Sequence, residues 1–238
     1  YSFSEREHEI TVAVTIETGN GVTACRVTAD IGNDALSENY NLSCNAPIQL
    51  SVTFEEIPAR FCALYQHRDW WSRPVFVRAY DEIPEKTQSL FIQGEDGRTG
   101  FILPMAGDRT KTYISKGTKA SLTLEMSAYT TGINHIEDIC FLLAEGDNPY
   151  ELTERVFERA CQLKRIPMKK DRRLPEMFEY FGWCSWDAFY ADITEEKVLE
   201  KVRELKEKRV PVRWILMDDG WLSVKDKCLT SFQPEQEK

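Results

Sequence analysis

Apolar and polar residues alternate with a period of two along the first half of the chain. The run "TVAVTIETGNGVTACRVTADI" (11–31) sets β-branched residues on both sides of Gly19-Asn20-Gly21, turn chemistry that predicts a hairpin. Similar runs recur at Ile48–Phe54, Val75–Tyr80, Ser89–Gln93, Phe101–Pro104, Thr110–Ser115, Ser121–Tyr129 and Asp138–Leu143. Turn residues such as Gly94-Glu95-Asp96-Gly97 separate them. Short strands at this spacing predict antiparallel sheets, most simply a large sandwich.

The period changes near residue 146. "GDNPYELTERVFERACQLKR" opens with an Asx-Pro start signal and spaces Leu152, Val156, Phe157, Ala160 and Leu163 by threes and fours, one face of a helix leading out of the sandwich. "KRIPMKKDRRLP" follows without periodicity; its two prolines and six basic residues predict a solvated interdomain linker. From residue 176 the pattern is strand, helix, strand. Phe178–Trp183 is an aromatic strand candidate, and Asp192 with Glu195 fits a capping-box variant. Val198, Leu199, Val202 and Leu205 form an apolar stripe that Pro211 ends. "RWILM" (213–217) is apolar enough for a parallel strand buried on both faces. The expected organisation is a β domain over 1–147, a helix and linker over 148–175, and a βαβ unit over 176–238.

Composition narrows the function classes. The chain is 42% apolar and 29% charged, and no apolar run approaches the roughly 20 residues of a membrane helix, so no membrane partner is expected. Residues 1–150 carry 12 Lys+Arg against 21 Asp+Glu, and 151–238 carry 18 of each, a balance that argues against nucleic acid. The seven cysteines, at 25, 44, 62, 140, 161, 184 and 228, lack metal-ligand spacing and read as reduced thiols. His8, His67 and His135 all lie in the β domain expected over 1–147, far in sequence from the acids of interest, so no metal or other cofactor is expected. A Cys184 nucleophile has no histidine near it in sequence. Asn41-Leu42-Ser43 fits the glycosylation pattern, which matters only in a secretory context. Beginning at Tyr1 without a signal segment, the chain reads as a processed product or a cut piece, and its compartment stays open.

The candidate chemistry sits where the two parallel strands end. Trp183–Asp187 follows the first strand, and Asp218-Asp219-Gly220-Trp221 follows the second. Parallel α/β architectures bind ligands at that edge. Tryptophan offers a flat apolar face to a pyranose, and carboxylates accept from its hydroxyls. Trp183 fits the core as readily as a site, Trp186 fits the core less easily, and Asp187 fits a local cap. Asp218 and Asp219 repel each other and call for a ligand or nearby donors. Adjacent acids cannot straddle a glycosidic bond, whose retaining cleavage needs carboxyls about 5–5.5 Å apart, but both can reach one side of a sugar.

Four stretches carry a family resemblance. "YFGWCSWDAFY", "WILMDDGW", "HRDWWSRPVF" and "LLAEGDNPYELTERVF" are together similar to glycoside hydrolase family 36, the α-galactosidases, in its raffinose synthase (seed imbibition protein) branch. The resemblance implies a mainly β supersandwich followed by the first βαβ unit of a TIM barrel. It also implies a retaining enzyme acting on α-galactoside oligosaccharides. The family's galactose-holding acids match Asp218 and Asp219, and its strand-one aromatic matches Trp186, with Asp187 beside it. Trp221 matches the end of the second motif and walls the pocket, while Trp70 and Trp71, in a β-domain loop, are further candidates. Adjacent tryptophans in a strand face opposite ways, which would put one of that pair in the core.

The family's nucleophile and acid/base are aspartates on later barrel strands. This chain shows two strand-like segments of eight, and "SFQPEQEK" reads as a cut within a loop. No catalytic residue is therefore assigned, and the chain is expected to be an inactive fragment of an α-galactosidase. A galactosyltransferase of raffinose-synthase type, a carbohydrate-binding module and an assembly domain remain the alternatives. Oligomeric state is open.

Overall fold

The computed structural model describes residues 2–5, 10–31, 48–54, 60–115, 117–118, 121–130 and 132–235. His8, Asn41-Leu42-Ser43 and Cys44 lie outside them. The chain divides into two compact units, 1–168 and 169–238.

The first unit is mostly β. Its strands are β1 (Ser2–Glu5), β2 (Ile10–Gly19), β3 (Val22–Ile31), β4 (Ile48–Val52), β5 (Arg60–Arg68), β6 (Trp71–Val77), β7 (Thr87–Gln93), β8 (Thr99–Pro104), β9 (Thr110–Ser115), β10 (Leu122–Ala128) and β11 (His135–Gly146). They bond in the order β1-β2-β3-β11-β8-β7-β9-β10-β4, with β5 pairing to β7 and β6 to β5. Every pair is antiparallel. The β2–β3 hairpin turns on Asn20 (φ 54°) and Gly21 (φ 68°), both left-handed, as a two-residue hairpin turn requires.

The sheet curls on itself, because Val27 of β3, Phe61 of β5, Ile114 of β9 and Leu122 of β10 share one buried cluster. Its other face buries Val22, Ala24, Phe101 and Leu142 against a helix. Alternation along β3 thus serves two cores: Val22 and Ala24 face one, and Cys25, Val27 and Ala29 the other. At the β11 bulge the consecutive residues Cys140 and Phe141 both face the first core, after which Leu142 resumes the second.

Helix α1 (Pro149–Lys164) is capped by Asn148, whose side chain accepts from Tyr150 N, and it stops where Arg165 turns left-handed (φ 54°). It packs back on the sheet through Leu152, Val156 and Ala160. Burial of Leu152 and Val156 contributes about 1.5–3 kcal/mol each. Phe157, expected on that stripe, is 42% exposed: it leans on Phe101 only at 6.4 Å, from the margin of the contact.

Strand readings need correction at several points. Strand β5 went unpredicted because its run Phe61–Tyr65 is apolar on both faces in sequence, although in the sheet Phe61 and Ala63 are buried and Leu64 is exposed. Val75–Tyr80 is not one strand: β6 ends at Val77, and Tyr80 enters a 3-10 turn (Tyr80–Glu82) that tucks its ring against Phe61 at 5.0 Å.

Among the described residues, the second unit contains one βαβ passage. Strand β12 (Gly182–Cys184) pairs in parallel with β13 (Trp214–Leu216), joined through α2 (Trp186–Phe189) and α3 (Glu195–Glu207). Phe178 falls in a 3-10 turn at Glu176–Glu179, and Tyr180 and Phe181 precede β12, so the strand is shorter than expected. Thr194, not Asp192, caps α3: its hydroxyl accepts from Lys197 N at 3.3 Å, while Asp192 pairs with the Lys197 ammonium. The helix stops at Glu207, ahead of Pro211.

Strand β13 is not buried on both faces. Trp214 and Ile215 are half-buried and Leu216 is 50% exposed, since two short strands and one helix cannot enclose an apolar strand. Leu199 and Val202 of the α3 stripe are likewise exposed. Strands β14 (Leu222–Lys225) and β15 (Cys228–Pro234) form a hairpin through Asp226 and Lys227, both at positive φ. Ser231–Pro234 therefore belong to a strand rather than to a loop.

Candidate functional site

The parallel pairing of β12 with β13 brings Cys184 opposite Leu216, so both chains leave the sheet at the same edge. Gly182 makes the pairing possible, because a Cβ there would lie 2.1 Å from the Trp214 ring. Beyond Cys184 the chain enters α2; beyond Leu216 it enters the turn Asp218-Asp219-Gly220.

Hydrogen bonds tie these exits together. Ser185 N donates to Leu216 O at 3.0 Å, and Asp218 N donates to Ser185 Oγ at 2.9 Å. The Cys184 thiol lies 3.5 Å from Asp218 Oδ2. Within the turn, Asp219 N donates to Asp218 Oδ1 and Gly220 N to Asp219 Oδ1, each at 2.7 Å. Gly220 sits at φ 104°, and a Cβ on it would come within 2.5 Å of the Ala191 backbone. The loop after β12 and the turn after β13 are thus in direct contact.

These bonds supply donors for the adjacent acids, so local backbone offsets part of the repulsion that made the pair look ligand-dependent. Each carboxylate still has spare capacity, since its two oxygens offer about four lone-pair sites. Asp218 is half-buried and Asp219 exposed, an arrangement able to accept hydroxyl donors from one side.

Trp183 is half-buried against Phe189, with ring centroids at 5.9 Å, and serves the packing of α2 on β12. Trp186 is 39% exposed and stands edge-on to Tyr190 at 5.4 Å, leaving aromatic surface open. Asp187 is exposed in the first turn of α2, and Trp221 is half-buried directly after Gly220. The direct contacts therefore join Cys184, Ser185 and Asp218, and Ala191 with Gly220. Trp186, Asp187 and Trp221 share the edge through their place in the chain.

Trp70 and Trp71 belong to the first unit, at the β5–β6 turn. Neither is core: they are 77% and 49% exposed, at the tight turn between β5 and the edge strand β6. Trp71 stacks on His67 at 5.6 Å, and the Tyr65 hydroxyl lies 3.3 Å from His67 Nδ1. Desolvation, with Arg73 and Arg68 nearby, holds the His67 pKa below its ordinary value.

Sequence reasoning passed over Ser185 and Tyr190. Ser185 is fully buried, and the available signal was a small hydroxyl residue at the point where a parallel strand gives way to a helix.

Comparison with known proteins places the chain in a family. The family model for "Raffinose synthase or seed imbibition protein Sip1" matches residues 42–237. Similar relatives include a probable galactinol–sucrose galactosyltransferase 1 of Arabidopsis thaliana, 27% identical over 178 residues, which cover 69% of this chain and 24% of that protein. The galactinol–sucrose galactosyltransferase of Pisum sativum is 25% identical over 170 residues, covering 69% of this chain and 21% of that protein. The stachyose synthase of Pisum sativum is 21% identical over 171 residues, covering 69% and 20%. Among solved structures, an α-galactosidase from Thermus thermophilus in complex with stachyose aligns with a TM-score of 0.47 and 17% identity, over 94% of this chain and 44% of that one. The chain spans about a quarter of the length of the curated relatives it matches. It belongs to the raffinose synthase or seed imbibition protein family.

Proposed function

We propose that this chain is part of a retaining enzyme acting on terminal α-galactosyl groups of oligosaccharides, with Asp218 and Asp219 holding the sugar. The observation that carries the reading is the adjacent carboxylate pair at the C-terminal edge of a parallel strand, bound to the neighbouring strand's exit. In this reading Trp186 offers its exposed face to the pyranose and Asp187 and Trp221 complete the rim. Residues 1–147 form a supersandwich, 148–175 the helix and linker, and 176–238 the start of a (β/α)₈ barrel. The open apolar side chains Leu199, Val202, Leu216 and Met217 support that last assignment, being the surface that further strands and helices would cover.

Adjacent aspartates cannot stand about 5–5.5 Å apart on opposite sides of a scissile bond. That pair therefore does not act as nucleophile and acid/base; in this reading, as the family resemblance implies, those roles fall to residues outside this chain, and the chain alone is inactive. Hydrolysis and transfer share one covalent glycosyl intermediate and differ in whether water or a sugar hydroxyl resolves it. Transfer is the second reading, favoured by the galactosyltransferase names of the relatives.

The test assays galactose release from raffinose, and galactosyl transfer from galactinol to sucrose, by the full-length protein, its Asp219→Ala variant and the 238-residue chain. Activity in the full-length protein alone is expected. A full-length protein inert on every α-galactoside would sink the reading.

A further inference from the structure

We propose that Ser185 is a positioning residue for Asp218, its hydroxyl standing in for a backbone carbonyl in the parallel ladder; the inference rests on the sugar-holding role given to Asp218. In a parallel pair, one residue donates its N–H and accepts at its C=O on either side of the residue opposite. Ser185 donates its N–H to Leu216 O at 3.0 Å, so the next bond of the ladder would run from Asp218 N to Ser185 O. That carbonyl has already turned away. Ser185 has helical dihedrals (φ −74°, ψ −17°), and its O accepts from Ala188 N at 3.2 Å and Phe189 N at 3.0 Å within α2.

The hydroxyl takes the vacated place, accepting from Asp218 N at 2.9 Å. One residue thereby starts the helix and continues the sheet. The bond fixes Asp218 where its carboxylate accepts from Asp219 N and meets the Cys184 thiol, and so sets the start of the acid turn. Ser185 is fully buried and has no path to a sugar, so it acts through Asp218 rather than on substrate.

The experiment uses the full-length protein with Ser185→Thr, which keeps a hydroxyl, Ser185→Val, its near-isostere without one, and Asp218→Asn as the reference. Steady-state kinetics on raffinose, thermal midpoints and hydrogen exchange of the Asp218 amide are measured. Ser185→Val should raise KM and lower kcat/KM about 10- to 100-fold, the range that corresponds to an unsatisfied buried donor. Ser185→Thr should stay within about threefold of the parent, a difference that loss of bulk packing would not produce. In the unmodified protein the Asp218 amide should exchange as slowly as those of β13, a readout that survives if a variant fails to fold.

Equal kinetics for the Thr and Val variants beside a crippled Asp218→Asn would overturn the role of Ser185 alone, as would a rapidly exchanging Asp218 amide. Full activity in Asp218→Asn would instead overturn the sugar-holding reading, and this inference with it.

Discussion

The two units of this chain are stabilised in different ways. In the first, complete burial of aliphatic side chains is widespread: Ile102, Leu122, Leu124 and Leu142 are fully enclosed, and α1 seals the second face of the sheet. In the second, the buried side chains among the described residues are Ile193 and Ser185, and apolar residues of α3 and β13 stand open. Apolar area dominates the first unit; hydrogen bonds at the strand exits organise the second. The groups suited to chemistry sit where burial is least, which leaves Asp219 and Trp186 accessible.

Thiol reactivity should give the widest contrast. Burial pushes Cys25 up to about 11 and Cys140 up to about 12, whereas Cys184 and Cys228 are exposed. At pH 8 a disulfide reagent should label the exposed pair at least about a hundredfold faster. Equal rates would mean that the β core opens freely.

Cavity formation comes next. Leu142→Ala, in the fully enclosed core, should cost about 2–5 kcal/mol in denaturant unfolding. In the same 238-residue chain, Leu199→Ala, on the exposed stripe, should cost under about 0.5 kcal/mol. Comparable losses would erase the distinction between the units.

Glycine substitutions sharpen the role of the strand exits. Gly97→Ala adds a Cβ with nothing within 4 Å at φ 87°, so only left-handed strain should appear, about 1–2 kcal/mol. Gly220→Ala adds the same strain and a clash with the Ala191 backbone, and should be the more damaging of the two by unfolding midpoint. The reverse order would mean that the two loops do not meet at Gly220.

The smallest effect concerns α3. Hydrogen bonds and charge from Lys201 and Lys208 lower the Glu204 pKa to about 2, below its unfolded value. The stabilisation is present above the unfolded pKa and lost as pH falls through the folded one. Helical circular dichroism of the unmodified protein should therefore decline more between about pH 4.3 and pH 2 than that of Glu204→Gln.

Much of this was legible in the sequence. Asn20-Gly21 fixed a hairpin, and Asn148-Pro149 with Leu152, Val156 and Ala160 fixed α1, because local turn chemistry and periodicity decide such elements. The Trp-Asp and Asp-Asp motifs do fall at one edge of a parallel pair. Strand β5 escaped because apolar residues occupy its open face as well as its buried one, Leu64 standing exposed beside buried Ala63, and β15 because its polar residues lack a buried face to pattern them. The exposure of Trp70 and Trp71 follows from the edge position of β6 in the sheet, which no local pattern encodes. Ser185 escaped because its role arises only when two strand exits meet in space.

The most direct test of the central claim is galactose titration of the full-length protein and its Asp219→Ala variant, followed by calorimetry. Loss of at least about tenfold in affinity, the scale of charged hydrogen bonds removed from a sugar, is the expected result. Equal affinity in the two proteins would contradict the assignment of the acid pair to sugar binding.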